Sequence, residues 1–279
     1  MSPSSKALLK IDKLLHAEKS KYQDITVFDS ATYGRVLTLD GICQCTLLDE
    51  HIYHEMMAHV PMMVAAQQGK TVTVAIIGGG DGGVLREIVK HSHLEHATLI
   101  DIDQRVIDLS KEYLPSISDG AFEHPKATVL CQDGALWFQD RADSSLDIVL
   151  IDSSDDDDDG TNSSLFTTEF YASVARCLKP GGIVVKQSGC NQIQLDSNLK
   201  TMRAYKQIFA NFGMYYQNVP TYPGGDMGFA WATNGPALDS VDVGAVKVRT
   251  KHYHKPIHNA CFAMPLHIHN AVEEIRQNA

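Results

Sequence analysis

Two acidic groups, each placed just after an apolar run, carry the clearest chemistry in this chain. Residues 71–77 are apolar and lead into Gly78-Gly79-Gly80-Asp81-Gly82-Gly83. Gly78, Gly80 and Gly83 fit GxGxxG in the strand–turn–helix setting that this pattern requires. Glycines there let the backbone turn tightly and approach a ligand closely. Asp101 follows the next apolar run, where a carboxylate can accept both hydroxyls of a ribose. Asp133-Gly134 ends a third run, where a carboxylate can take the amino group of adenine. The plainer alternatives are a turn that packs helix on sheet, and for Asp101 a helix N-cap before Gln104.

The second group is Asp152-Ser153-Ser154-Asp155, delivered by the apolar run 146–151. Two carboxylates three residues apart can bracket a cationic amine, and one can act as a base. An alkyl amine resembles lysine, with a pKa of about 10, so it must lose a proton before it attacks carbon. A positioned carboxylate supplies that path, for about 10²–10⁴-fold in rate. The alternative is that Asp152 and Ser153 merely cap and turn the chain. The run Asp156–Asp159 reads as a solvated loop, because adjacent like charges resist packing; the functional alternative is an acidic lid that draws in a dication.

Asp81 narrows the ligand. A dinucleotide pyrophosphate, or the amino-acid tail of S-adenosylmethionine, presents negative charge. A carboxylate 4 Å away repels it by about 4 kcal/mol at an effective dielectric near 20. Asp81 therefore suits a nucleoside whose tail carries a free amine.

The elements that must hold these groups alternate. Strands are expected at 71–77, 97–103, 126–132, 146–151 and 182–187, and helices at 83–90, 104–113, 166–178 and 198–212, the last ended by Gly213. A helix at 55–66 is expected to kink or break at Pro61. Such alternation implies a parallel sheet with helices on both faces, a Rossmann-like arrangement. Ahead of it, short β-rich runs at 24–28, 34–39 and 42–48 read as a small antiparallel sheet, with a possible short helix at 6–16. The division is expected at 1–52 for the β domain and 53–279 for the α/β domain.

The whole chain is consistent with this. Its 279 residues are 44% hydrophobic and 21% charged, which excludes wholesale disorder. A formal charge of -10 argues against a nucleic-acid partner, since phosphate binding needs a basic face. No apolar run approaches the roughly 18 residues of a membrane span, and the start lacks a signal-peptide h-region. Six dispersed cysteines with no CxxC pair fit reduced thiols, hence a cytoplasmic location. The 13 histidines show no zinc spacing, so no metal is expected, and His252, His254 and His258 read as surface or core-edge residues. Cys131 and Cys190 fall near the ligand edge without an acid–base partner.

Taken together, these residues resemble the spermidine synthase (polyamine aminopropyltransferase) family, from about Tyr22 to the C-terminus. The resemblance rests on Tyr22-Gln23-Asp24-Ile25, Leu37-Thr38-Leu39-Asp40-Gly41, Tyr53-His54-Glu55-Met56, Gly78–Gly83 with Leu85-Arg86-Glu87, Asp152–Asp155, and Pro220-Thr221-Tyr222-Pro223-Gly224-Gly225. Tyr53-His54-Glu55-Met56-Met57 and Phe229-Ala230-Trp231-Ala232-Thr233 look like the bacterial branch. The resemblance implies transfer of an aminopropyl group from decarboxylated S-adenosylmethionine, as co-substrate, to a diamine such as putrescine. It implies no further cofactor and a homodimer. By resemblance Gln23 and Asp81 hold the donor, Asp101 its ribose, and Asp133 with Gly134 its adenine. Asp152 is the general base, Asp155 and Tyr53 position the reacting amines, and Tyr222 lines the acceptor channel. His54 sits where many relatives carry Gln.

The chain departs from the family twice. Pro-x-Gly-Pro after the second acidic group is replaced by Asp156–Asp159 and Gly160, with two residues added before Leu165. Gln187-Ser188-Gly189-Cys190 lacks an acidic residue that many eukaryotic relatives carry. Two rival readings share the scaffold: a small-amine N-methyltransferase that uses intact S-adenosylmethionine, and a catalytically weak relative that binds polyamines or nucleosides.

Overall fold

The computed structural model describes residues 8–154 and 163–277. Four strands, β1 (Lys13–Lys19), β2 (Asp24–Ser30), β3 (Gly34–Leu39) and β4 (Ile42–Thr46), form an antiparallel sheet in sequence order. Helix α1 (Glu50–Ala66) then leads into the larger unit. There follow β5 (Val72–Gly78), α2 (Gly83–Val89), β6 (Leu94–Asp101), α3 (Gln104–Tyr113), α4 (Pro115–Ser118), β7 (Ala127–Cys131), α5 (Gly134–Asp140) and β8 (Leu146–Asp152). After 163 come α6 (Thr168–Cys177), β9 (Leu178–Gln187), α7 (Leu195–Ile208), β10 (Asn211–Asn218), β11 (Asp226–Thr233), α8 (Lys255–Ala260) and α9 (Leu266–Gln277). The expected boundary at 52/53 falls inside α1, whose first turn begins at Glu50.

The large sheet has seven strands in the order β10-β11-β9-β8-β5-β6-β7. Strands β5 to β9 pair in parallel, and β10 and β11 close one edge antiparallel. Alternate residues of β5 explain its position. Val72, Val74 and Ile76 pack with α1 and α2, whereas Ala75 and Ile77 pack on the other face, towards α6 and α7. A strand buried on both faces needs a near-continuous apolar run, which β5 and β8 supply apart from Thr73 and Asp147 near their starts. The chain runs outward from β5 through β6 and β7, then returns to β8 on the other side of β5. The carboxyl ends of β5 and β8 therefore flank a topological switch point, where open α/β sheets bind ligands.

The small sheet is not independent of this unit. Ile25, Val27, Leu37 and Cys45 pack against Val106 and Leu109 of α3, Ile117 of α4 and Leu114 between the two helices. A buried carboxylate, Asp49, adds a second tie by accepting from Thr46 Oγ1 at 2.8 Å, Thr221 N at 2.8 Å and Thr221 Oγ1 at 2.6 Å.

Four local expectations need correction. Residues 13–19 form β1, paired with β2, and no helix begins among residues 8–12. Pro61 does not end α1, which runs from Glu50 through it to Ala66. The helix at 198–212 stops at Ile208, and Gly213 lies inside β10 opposite Trp231. Its missing side chain makes room for that indole, since a Cβ would lie 2.8 Å from Trp231 Cζ2. The strand expected at 182–187 begins at Leu178, and the Lys179–Gly182 segment bulges within this β9, where Leu178 pairs with Leu146 and Ile183 with Ile148. Strands β10 and β11 were not anticipated.

Candidate active site

At the switch point, Gly78 and Asp152 are paired residues of the β5–β8 ladder. Gly78 has φ +79°, and a Cβ on it would lie 2.2 Å from the Asp152 carbonyl oxygen. Only glycine lets the two strand ends come this close. The loop that follows borders a cleft of about 230 Å³. Gln23, Tyr53, Asp81, Asp101, Asp133 and Asp152 all line it, as do Gly78, Gly80, Gly134 and Tyr222.

The side of the cleft over β5, β6 and β7 has the form of a nucleoside site. Asp101 Oδ2 accepts from Gly80 N at 2.9 Å, and its Oδ1 accepts from Asp103 N at 2.8 Å. These bonds hold the carboxylate in place, while burial pushes its pKa up to about 6 against their opposing effect. Asp103, not Asp101, is the N-cap of α3. Gln23 reaches the site from the small sheet, where its Nε2 donates to Asp103 Oδ2 at 3.0 Å and Ser20 Oγ donates to the same oxygen at 2.6 Å. Asp133 caps α5 through Oδ1, which accepts from Ala135 N and Leu136 N. That leaves Oδ2 for an exocyclic amine. Gly134 packs against Ile77, and a Cβ there would meet Ile77 Cγ2 at 2.6 Å.

Asp152 sits on the central strand, between this side and the side built by β9 and the 220–227 segment. It keeps some solvent contact through the cleft and is otherwise surrounded by protein. Burial, reinforced by the charge of Asp81, raises its pKa to about 7. The phenol of Tyr53 donates to Oδ1 and opposes that rise. Burial pushes the Tyr53 phenol itself well above its usual pKa, so it remains a donor. The Tyr222 ring stands edge-on to Tyr53 with centroids 5.9 Å apart, and its hydroxyl donates to the Gln44 carbonyl at 2.6 Å. Gln187, at the end of β9, donates to the Ser153 carbonyl at 2.7 Å.

His54 is placed differently from the other expected site residues. It is 1% exposed and does not border the cleft. Its Nδ1 pairs with Glu50 Oε2 at 2.6 Å, and its Nε2 pairs with Asp81 Oδ2 at 3.2 Å. Burial lowers its pKa, but Asp81 and Glu50 outweigh that and raise it to about 10. Burial in turn would raise Asp81, yet His54 and the Gly83 N–H hold it below the usual carboxylate range. Gly83 is explained by the same ring, because a Cβ there would lie 2.2 Å from His54 Cε1. Asp81 is thus an ionised carboxylate with a buried cation behind it, not the bare charge that the sequence argument assumed.

Sequence reasoning missed Glu50, Asp103 and Asp49, and gave Arg86 no role beyond its place in a motif. Glu50 and His54 stand four apart on one helix, a spacing that signals a pair, but the helix was expected to start at 55. Asp155, with Asp156–Asp159, lies outside the described residues. Among the described residues, no three or more His, Cys, Asp or Glu side chains converge as a metal-ligand set. His258 is buried and paired with the Tyr253 hydroxyl at 2.7 Å, whereas His254 is exposed.

Comparison with known proteins agrees with this geometry. The Spermine/spermidine synthase domain matches residues 50–242, and the Spermidine synthase tetramerisation domain matches residues 2–46. Polyamine aminopropyltransferases of Salmonella paratyphi B and Salmonella typhi are each 39% identical over 269 residues, covering 94% of this chain and 92% of theirs. A spermidine synthase solved in complex with the transition-state analogue AdoDATO superposes with a TM-score of 0.88 at 31% identity, over 95% of this chain and 90% of that one. Spermidine synthase from Thermotoga maritima gives 0.87 at 31% identity, over 95% and 89%. With its switch-point glycine loop, its acidic cleft and these similarities along nearly its whole length, the chain belongs to the spermine/spermidine synthase family of transferases.

Proposed function

We propose that this protein transfers an aminopropyl group from decarboxylated S-adenosylmethionine to a diamine, with putrescine the expected acceptor. The observation that carries this reading is the position of Asp152. It stands at the switch point, with an elevated pKa, between carboxylates suited to a nucleoside and an aromatic wall suited to an alkyl amine. The donor's adenine and ribose lie towards Asp133 and Asp101, and its primary ammonium lies against Asp81. The acceptor lies along Tyr53 and Tyr222. Its ammonium gives a proton to Asp152, and the freed lone pair attacks the methylene attached to sulfur. A C–N bond forms as the C–S bond breaks, the sulfur keeps the electron pair, and neutral methylthioadenosine leaves. The sulfonium is already a leaving group, so orientation and amine deprotonation are the chemistry asked of the protein, without a cofactor.

Incubation of purified protein with decarboxylated S-adenosylmethionine and putrescine, followed as methylthioadenosine release, tests this. Release dependent on the diamine supports it. Methyl transfer from intact S-adenosylmethionine, or binding without turnover, overturns it. Two further readings accompany the proposal. The chain self-associates through its N-terminal sheet, with a homodimer as the smallest unit; light scattering that returns only a 30.7 kDa species contradicts this. It works in the cytoplasm, a reading supported by six free thiols, four of them buried.

A further inference from the structure

Buried charges of alternating sign run from the cleft to the surface through α1 and α2. Asp81 faces the cleft, His54 lies behind it, and Glu50 lies behind His54. Arg86 Nη2 and Nη1 reach Glu50 Oε2 and Oε1 at 2.9 and 3.2 Å, while Arg86 Nε donates to Glu87 Oε1 at 2.6 Å. Glu87 Oε2 then meets Lys90 Nζ at 2.5 Å and His59 Nε2 at 3.0 Å. Arg86 Nη1 also donates to the Ile117 carbonyl at 2.7 Å, which anchors it from α4. Glu50, His54, Arg86 and Glu87 are each at most 9% exposed and none borders the cleft. Burying so many charges is costly unless each is paired, and the reaction uses none of these four directly.

We propose that Glu50, itself anchored by Arg86, is a positioning residue that holds the His54 imidazolium against Asp81, and that this fixed positive charge keeps Asp152 available as the base near neutral pH. The proposal rests on Asp152 being that base. The surroundings of His54 are consistent. Its own helix supplies Glu50 and Tyr53, the glycine loop supplies Asp81, β8 supplies the charge of Asp152, and β4 brings the Cys45 thiol beside Asp81 and Glu50. The ring cannot swing towards α2, because the Gly83 backbone fills that side. Burial works against an ionised Glu50, yet His54 and Arg86 hold its pKa down to about 2. The imidazolium in turn favours ionised Asp152. The donor's ammonium at Asp81 becomes the next positive member of the series.

Two measurements test the proposal. Nitrogen chemical shifts of His54 in the intact ¹⁵N-histidine-labelled protein report its protonation without reference to activity. Both ring nitrogens are expected to stay protonated through pH 8, and a midpoint near 6.5 overturns the proposal whatever reaction the protein catalyses. The second measurement is the pH dependence of kcat. His54→Gln is expected to move the acid limb upward by roughly one unit, the low end of what one neighbouring charge produces. Glu50→Gln moves it in the same direction by less, and the double variant moves it no further than His54→Gln alone. Turnover in the single variants recovers towards the wild-type value at pH 9. A uniform loss at every pH with an unmoved limb means that the residues are only structural, and overturns the proposal. If Glu50→Gln fails to fold, the wild-type spectrum and His54→Gln still decide it. A wild-type protein without turnover refutes the proposed reaction instead, and the spectrum separates the two failures.

Discussion

Gly78 and Asp152 touch because one of them has no side chain. Their pairing fixes where Asp152, the proposed base, stands relative to the glycine loop. Gly78→Ala introduces a Cβ 2.2 Å from a backbone carbonyl, at a φ of +79° that L-residues avoid by about 1–2 kcal/mol. The strands must part, so the melting temperature is expected to fall by several degrees and turnover by at least about ten-fold. Calorimetry and a rate assay check this; a wild-type melt with a wild-type rate contradicts the close contact.

Asp152→Asn separates binding from chemistry. The amide fills the same space, accepts from Tyr53 and keeps the nucleoside side intact, so donor affinity by titration calorimetry is expected to hold. Turnover is expected to fall by at least about 100-fold. Stability moves the other way. The folded pKa of about 7 lies above the 3.8 of an unperturbed aspartate, so protonated Asp152 stabilises the fold fully below pH 4, and that stability is lost as pH rises through 7. Asn stays neutral throughout. The variant should melt at least about 2 °C above wild type at pH 8 and level with it near pH 4.

Two titrations should appear separately in the rate profile of the wild-type protein. With saturating donor and acceptor, kcat is expected to fall as pH drops through about 7, because Asp152 takes up a proton and stops accepting one from the amine. The donor KM is expected to rise only below about pH 6, where Asp101 loses the charge that favours two ribose hydroxyls. A single limb shared by kcat and KM would contradict the assignment of these roles.

Tyr53→Phe removes the donor that keeps the Asp152 carboxylate charged. The acid limb of kcat should move to higher pH, with turnover at pH 7 reduced by about three- to ten-fold and largely recovered at pH 9. The ring remains against Phe229 and Tyr222. A change in acceptor KM with no change in pH profile would assign Tyr53 to packing alone.

What the sequence conveyed depended on how local each signal was. The glycine loop, the strand that feeds it and the acidic ends of β6, β7 and β8 are contiguous stretches, each with an apolar run and a turn, so their positions were readable. The partners of the site residues come from distant segments. Gln23 meets Asp103, and His54 meets Asp81, through side chains 80 and 27 positions apart. Asp81 was therefore read as an isolated negative charge, whereas His54 behind it weakens its repulsion of a carboxylated tail. A helix start placed five residues late hid the Glu50–His54 pair. Gly213 looked like a helix stop because glycine serves that purpose often; here it makes room for Trp231, a contact that no local pattern announces. The buried run 226–233, bounded by Gly224-Gly225 and Asn234-Gly235, carried a strand signal that only its pairing with β9 and β10 makes plain.

Asp49 joins the end of β4 to Thr221, and the adjacent Tyr222 returns a second bond to Gln44 on the same strand. Strand β4 and the Tyr222 side of the cleft are therefore tied directly to each other, so a displacement of the small sheet is expected to carry the ring of Tyr222 with it.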